Sequence, residues 1–592
     1  MKKNIFSNSI FLFTILLIIY LTYNNGLPNI LNWDTFGYSA YMPLLFINKN
    51  VILHDFTFFE NINNIYKNTP TLYQFITLEN GNVITKYTVG WSILMTPFYF
   101  IGHLIAKLFH FKLDGYSFPY QLMIYLGSTF YSILGLHYLK KIVLHFFNDL
   151  ISAFTFLSIV FGTNYFLMQS ISPGSTHNLE FTFLAILIWQ TIKFHQLPSI
   201  KKGLFLGFLI GIIGTIRPPD LIFGCIPLFW NLDHYSNLKD KIIHFWKNFK
   251  KEVIISILSI LSILFIQFLY WKITSGHFFI NSYNNPGENF DWLTPYTFDF
   301  LFSFRKGWLI YSPIMLLAII GLYYWRKKEN QHGNFIILIV LIFIYVVSCW
   351  TNWWYAASYS QRPMVDIYPL LAIGLGFFFL HLKQKRFQKF IYFVSLIFIL
   401  FNLFQSYQYQ KGILHPSLMT KDYYFSTFGQ LTPPTQKQQK LLLIDRDKFY
   451  NERFRAQNEY KKCFTKRIIY PTNFYLNDSI IYTPIIDILP NKISNKDHFW
   501  LKMTWKYDGN LIQLEGKIMN IAAMHNSKAY NWVGRSISDS LTTIDTINKT
   551  ISFDYLSPYF RNENDFLRIG IWKQSGLPIK IKSVLIEGFE KK

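Results

Sequence analysis

Asn32-Trp33-Asp34-Thr35-Phe36-Gly37-Tyr38-Ser39-Ala40-Tyr41-Met42-Pro43 follows the first apolar run of the chain, Ile10 to Tyr23. Its one carboxylate, Asp34, falls where a chain leaving a bilayer would emerge. An acid at that boundary is costly to desolvate, which makes it a functional candidate. The plain alternative is a solvated loop aspartate. The rest of the sequence decides between them.

The chain has 592 residues, 51% hydrophobic and 20% aromatic, with only 15% charged. That is too apolar for an ordinary soluble enzyme of this length. Many segments approach the ~20 apolar residues needed to cross a bilayer. The net charge of +23 invites a nucleic-acid reading, but most Lys and Arg sit in short clusters between apolar runs. That is how cytoplasmic loops are marked, so no nucleic-acid partner is expected. Cys225, Cys349 and Cys463 form no CxxC, so neither a zinc site nor a disulfide framework is indicated. The Lys, Asn, Ile and Phe bias suggests an AT-rich bacterial genome.

Lys2 and Lys3 place the N-terminus in the cytoplasm, ahead of a retained signal anchor. Spans then read at 10–23, 119–139, 151–168, 179–194, 203–216, 221–230, 253–271, 308–325, 335–350, 364–382 and 390–404. The long outer loop 24–118 includes an apolar piece at 89–109, broken by Pro97, Gly102 and His103, which reads as interfacial. With this assignment the large basic clusters fall inside, and Asp34, His177, Arg217, Arg305 and Arg362 share the outer side. The expected fold is a polytopic α-helical membrane protein of about eleven transmembrane helices, with a C-terminal extracytoplasmic β-sandwich. The expected parts are a membrane domain at 1–407, a linker region at 408–496 and an antiparallel β-sandwich at 497–592. Period-two alternation and turns such as Asp508-Gly509 support the last.

Soluble-enzyme signatures are missing: no Walker A, no GxGxxG after a strand, no GxSxG and no HExxH. Asp445-Arg446-Asp447 is a DxD, but it lies on the outer side, where nucleotide sugars are not supplied. The outer face instead offers a carboxylate, isolated cations and many aromatic rings. Cations at the ends of apolar spans suit a phosphate carried on a lipid. A carboxylate beside them suits proton removal from an attacking hydroxyl, with the cations stabilising the departing phosphate.

Several segments in order resemble the membrane-embedded glycosyltransferases of the C superfamily (GT-C), which use polyprenyl-phosphate sugars. Among these are the protein O-mannosyltransferases and the aminoarabinose transferase of lipid A. The segments are the Asp34 loop, Lys86-Tyr87-Thr88-Val89-Gly90-Trp91, Ser175-Thr176-His177, Arg217-Pro218, Arg305-Lys306-Gly307 with Tyr311-Ser312-Pro313, and Trp353-Trp354 through Gln361-Arg362. They cover about residues 1 to 420. The resemblance implies an inverting transfer on the outer face of a bacterial inner membrane, from a polyprenyl-phosphate donor to a glycan, lipid or protein acceptor.

Carried over residue by residue, the resemblance makes Asp34 the general base. Many relatives have an acidic pair there; Thr35 follows here, leaving open whether Asp34 acts alone or with Asp55. Lys86 matches a basic residue near a substrate phosphate, or else a snorkelling interface lysine. Arg305 and Arg362 are the other phosphate candidates, since Arg forms a bidentate fork to phosphate oxygens; pairing with Asp291 or Asp366 is their structural alternative. Arg217 reads as a partner of Asp220. His177 reads as a substrate-side or core histidine. Trp353, Trp354 and Tyr355 line a sugar site or form an interfacial belt. Participation of a divalent metal stays open. The rival functions are a transporter or flippase, a polymerase or ligase of lipid-linked glycans, and a non-catalytic glycan receptor.

Overall fold

The computed structural model describes residues 4–24, 29–231, 237–283, 288–383, 385–446 and 459–592. The chain divides after Thr435 into two compact units, the first helical and the second built of strands.

Apolar runs become helices because a helix satisfies its own backbone groups wherever water is scarce. Phe118–Phe146, Lys250–Ser275, Met364–Leu382 and Gln388–Gln410 are each long and apolar enough to cross a membrane. Asp149–Phe161 and Tyr165–Ile171 form a fifth candidate if their 55° bend is taken as one broken span. These helices occupy different places. The apolar stretch of Met364–Leu382 is 83% buried, that of Lys250–Ser275 only 17%. The first is the central helix of the unit. The second turns Leu258, Leu261 and Phe265 outward, an apolar face too long for an ordinary water-exposed surface.

Helix Met315–Ser348 is not straight. A Cβ on Gly333 would lie 2.3 Å from the Cα of Arg326, whereas seven residues of straight helix would separate the two by about 10 Å. Trp230 faces Trp325 while its neighbour Phe229 stacks on Phe335. The chain therefore reverses between Arg326 and Gly333.

Glycines set the closest helix crossings. Gly203, Gly207 and Gly211 recur every fourth residue on Ile200–Ile216 and face Glu252, Ser256 and Ile263 of Lys250–Ser275. A Cβ on Gly207 would fall 2.1 Å from the Ser256 carbonyl oxygen. Small residues at this spacing let helix backbones touch. Gly321 and Gly374 play the same part between Met315–Ser348 and Met364–Leu382.

The segment 89–109, whose apolar sequence is interrupted by Pro97, Gly102 and His103, forms one helix, Gly90–Leu108, with Pro97 inside it. It packs on Phe118–Phe146 where Gly102 meets Pro119 and Tyr120. The region 408–496, expected to be a linker, divides. Residues 408–435 belong to the helical unit, where Tyr423 donates to the Ile413 carbonyl and Gln408 to those of Thr427 and Gln430.

The strands are β1 (Phe75–Thr77) and β2 (Val83–Thr85), a hairpin in the helical unit, and then β3 (Tyr460–Ile469), β4 (Tyr475–Leu476), β5 (Ile486–Ile488), β6 (Phe499–Asp508), β7 (Lys517–His525), β8 (Lys528–Arg535), β9 (Thr542–Asp545), β10 (Thr550–Leu556), β11 (Phe566–Lys573) and β12 (Ile579–Lys591). One sheet runs β3–β12–β6–β10–β9, with β4 also on β12; the other runs β5–β11–β7–β8. The pairings are antiparallel. Alternate residues such as Leu501, Met503, Trp505, Ile521, Ile569 and Val584 fill the core between them. Three strands upstream of Asp497 join these sheets. The edge strand β3 carries Lys461, Lys462, Lys466 and Arg467, so its sequence hides the alternation that marks the others. Of the DxD, Asp447 lies outside the described residues. Arg446 donates to the carbonyls of Ser557 and Asp497 and stacks on Tyr559, a structural role in the β unit.

Substituting Gly207→Leu forces the two glycine-packed helices apart. The variant is expected to be about 1–3 kcal/mol less stable, read as a lower unfolding temperature of the detergent-purified protein. An unchanged transition would contradict this packing.

Candidate active site

Asp34 lies in the first turn of a short helix, Trp33–Ser39. An aromatic cluster fixes that helix. Phe36 packs edge-on against Phe59 and Phe75 at 5.7 Å and against Tyr116 at 5.4 Å. Trp33 has φ +45, a region uncommon for a residue other than glycine. It is held there because its N–H donates to the Asn68 carbonyl and its own carbonyl accepts from Gln74 Nε2.

The carboxylate gathers three donors. Oδ1 accepts from the hydroxyls of Tyr73 and Tyr87, each at 2.7 Å. Oδ2 accepts from Arg362 Nη2 at 3.0 Å. Lys86 is buried among the rings of Tyr73, Tyr87 and Tyr283, with its Nζ 4.9 Å from the Tyr73 centroid. Burial alone would push the Asp34 pKa up. The Arg362 charge, the two tyrosine hydrogen bonds and the Lys86 charge outweigh it and hold the carboxyl below the usual carboxylate range. Asp34 is therefore ionised at neutral pH. The pair remains reachable, since 32% of the Asp34 side chain and 23% of Arg362 are exposed.

Glycine again sets the geometry. A Cβ on Gly37 would sit 2.5 Å from the Tyr87 ring, so only glycine lets that ring pass beneath the helix to reach Asp34. Each residue of the segment 86–91 has a task in this arrangement. Lys86 and Tyr87 serve Asp34. Thr88 donates to the Ile216 carbonyl, and Val89 N–H donates to Gln267 Oε1. Gly90 packs on Thr215 and Ile216, and Trp91 Nε1 donates to the Gly174 carbonyl. The segment thus joins Asp34, the end of helix Ile200–Ile216 and the loop ahead of His177.

A second polar cluster lies beside the first. His177 Nδ1 is 2.8 Å from Asp366 Oδ1 and 2.9 Å from Arg217 Nη1, and Arg217 also pairs with Asp366 Oδ2. One ring nitrogen cannot both donate to Asp366 and accept from Arg217, so its proton decides which bond forms. Glu180 and Asp220 are fully buried within the electrostatic reach of Asp366 and Arg217. Tyr38 and Tyr355 feel both Arg217 and Arg362, which links the two clusters.

A third group holds cations. The Arg305 guanidinium lies 3.8 Å from the Trp354 ring centroid, and its Nε donates to the Ser417 carbonyl. Lys306 is fully buried and donates to the Pro416 carbonyl. Burial, followed by the neighbouring charges of Arg362 and Arg305, pushes the Lys306 pKa well down.

The sequence candidates therefore separate. Asp34, Lys86 and Arg362 meet, with Tyr355 nearby. His177 belongs to the second cluster. Arg305 and Trp354 belong to the third, and Trp353 packs against Trp354 at 6.0 Å. Asp55 does not join Asp34. It is exposed, and its ionic and hydrogen-bond neighbours are Thr57, whose N–H it caps, and His54. Arg362 pairs with Asp34 and not with Asp366, because Asp366 is taken by His177 and Arg217. Among the described residues, no group of three or more His, Cys, Asp or Glu is disposed to hold a metal ion. Tyr73, Glu180 and the full role of Asp366 escaped the sequence. An acid inside an apolar run, as Glu180 is, was the signal available.

Arg362→Gln leaves Asp34 without its ionic partner. In a double-mutant cycle with Asp34→Asn, the unfolding free energies are expected to show about 1–2 kcal/mol of coupling, discounted because the pair is partly open to water. Strict additivity would contradict the pairing.

Neither a protein-family model nor a characterised protein matches this sequence.

Proposed function

We propose that the chain is a polytopic membrane glycosyltransferase of the GT-C type, with about eleven spans and its N-terminus in the cytoplasm. It moves a sugar, with inversion, from a polyprenyl phosphate to an acceptor hydroxyl at the outer face of the inner membrane. The observation that carries this reading is the meeting of one ionised, reachable carboxylate with Arg362 and the buried Lys86. A transporter or flippase would bind a lipid phosphate with the cations alone and has no need of the acid.

In this reading the acceptor hydroxyl gives its proton to Asp34 as its oxygen attacks the anomeric carbon. The bond from that carbon to the phosphate oxygen breaks, and polyprenyl phosphate leaves with the electron pair. Arg362 and Lys86 face the charge that grows on the phosphate. A carboxyl held below its usual pKa is always ready to accept a proton but is a weak base. Phosphate binding offsets both cations. With their pull on Asp34 reduced, its pKa rises and the base strengthens when the donor is in place.

Two outcomes follow. Asp34→Asn should lower kcat with a labelled polyprenyl-phosphate sugar by at least ~10²-fold, while membrane insertion and donor binding persist; near-normal turnover would remove the mechanism. The acid limb of kcat, set by Asp34 in the loaded enzyme, should lie at higher pH than that of kcat/KM, set by the free enzyme. Arg362→Gln should shift the kcat/KM limb upward, because losing the cation raises the free carboxyl's pKa. A limb that stays put would show that another group titrates.

A further inference from the structure

The β unit carries a feature that the transfer chemistry does not use. On the sheet β5–β11–β7–β8, residues Met519, Ile521, Val533, Leu567, Ile569 and Ile571 point into the core. Their neighbours form the opposite face. Trp532 pairs with Ala522, which pairs with Arg568; Gly534 pairs with Asn520, which pairs with Gly570; Ile518 pairs with Trp572.

The Trp532 indole lies flat along this face. A Cβ on Gly534 would fall 2.4 Å from its outer ring carbon, so the ring covers the glycine and keeps its other side open, at 55% exposure. Among the described residues it makes no hydrogen bond, ring contact or cation contact. Diagonally across the sheet, Trp572 stacks on the exposed Tyr482 at an interplanar angle of 11°. Between the two aromatic groups the floor is low. Gly570 has no side chain, and a Cβ there would meet only Thr483 Oγ1 at 3.2 Å and Asn520 Oδ1 at 3.8 Å. No hydrogen bond engages the Asn520 amide among the described residues. Strand spacing and rise put the aromatic groups roughly 10–12 Å apart.

We propose that this face is an oligosaccharide-binding site for a neutral glycan of two or three sugar rings. A pyranose ring has one apolar face of C–H groups and an equator of hydroxyls. The electron-rich face of Trp532 suits the first, and the free donors and acceptor of Asn520 suit the second. The Trp572–Tyr482 pair takes the far end. Among the described residues, Arg568 and its cross-strand neighbour Asp487 on this face already engage each other in a two-pronged pair at 3.0 and 2.8 Å. The site therefore offers no spare charge for an acidic polymer. A protein partner would need a larger apolar patch than two separated rings.

The site is independent of the transfer reaction. The test uses the full-length chain in lipid nanodiscs, free of sugar-based detergent, with maltotriose, chitotriose and mannotriose as probes. Binding is read by saturation-transfer difference NMR and titrated to an affinity. At least one trisaccharide is expected to bind, Trp532→Ala and Asn520→Ala each weakening it tenfold or more. Gly534→Val, which keeps the indole but lifts it from the sheet, should weaken it similarly, with an unchanged circular dichroism spectrum. Asp34→Asn should bind as the wild type does, so a failure of the transferase reading leaves this result legible. Absence of binding to all three probes, or wild-type affinity in Trp532→Ala, would overturn the site.

Discussion

The ion pair between Asp34 and Arg362 joins residues 328 positions apart in the chain. One partner lies in the short helix Trp33–Ser39, the other just ahead of Met364–Leu382, the most buried of the four candidate spans. Neither charge is comfortable alone in so apolar a setting. Each makes the other tolerable, and two tyrosine hydroxyls complete the carboxylate's hydrogen bonding. Around this pair the other polar groups fall into order: Lys86 on one side, Lys306 and Arg305 on another, and the His177–Arg217–Asp366 cluster behind.

That order rests on backbone approach more than on the charges themselves. Gly37 admits the Tyr87 ring, and Gly90 admits the end of helix Ile200–Ile216. The glycine ladder at 203, 207 and 211 brings that helix against Lys250–Ser275. Arg217 follows at once, in extended backbone before Pro218, as a residue preceding proline prefers. The same helix contact that packs the unit thus delivers a cation to the cluster. Packing and chemistry share residues here, so variants of the glycines are expected to perturb both.

Much of this was legible in the sequence because charges are rare within apolar runs and so stand out. Asp34 and Arg362 stand out that way, Lys86 enters through the resemblance, and the structure brings the three together. The three-residue sum could not be read: that Arg362 pairs with Asp34 and Asp366 with Arg217 depends on which helices cross. Asp55 looked equivalent to Asp34 in sequence but caps an exposed turn. Tyr73 carried no signal, since one tyrosine among 39 is unremarkable. In the β unit, β6 and β10 to β12 match the alternation in the sequence, whereas the strand expected at 511–518 is a 3-10 turn, Leu511–Leu514, ahead of β7. The edge strand β3 was missed because its exposed lysines interrupt that pattern, and the short strands β4 and β5 are too brief to show one. The segment 408–435 looked like a linker by composition, yet its carbonyls at Pro416 and Ser417 receive Lys306 and Arg305.

The proposed transfer requires a lipid phosphate between Arg362 and Lys86, next to Asp34. Cryo-electron microscopy of the protein in nanodiscs loaded with polyprenyl phosphate addresses that directly. Phosphate density within hydrogen-bonding reach of both cations, with the Asp34 carboxylate facing the same space, is the predicted result. Phosphate density elsewhere on the protein, with the Asp34–Arg362 pair closed and untouched, would contradict it.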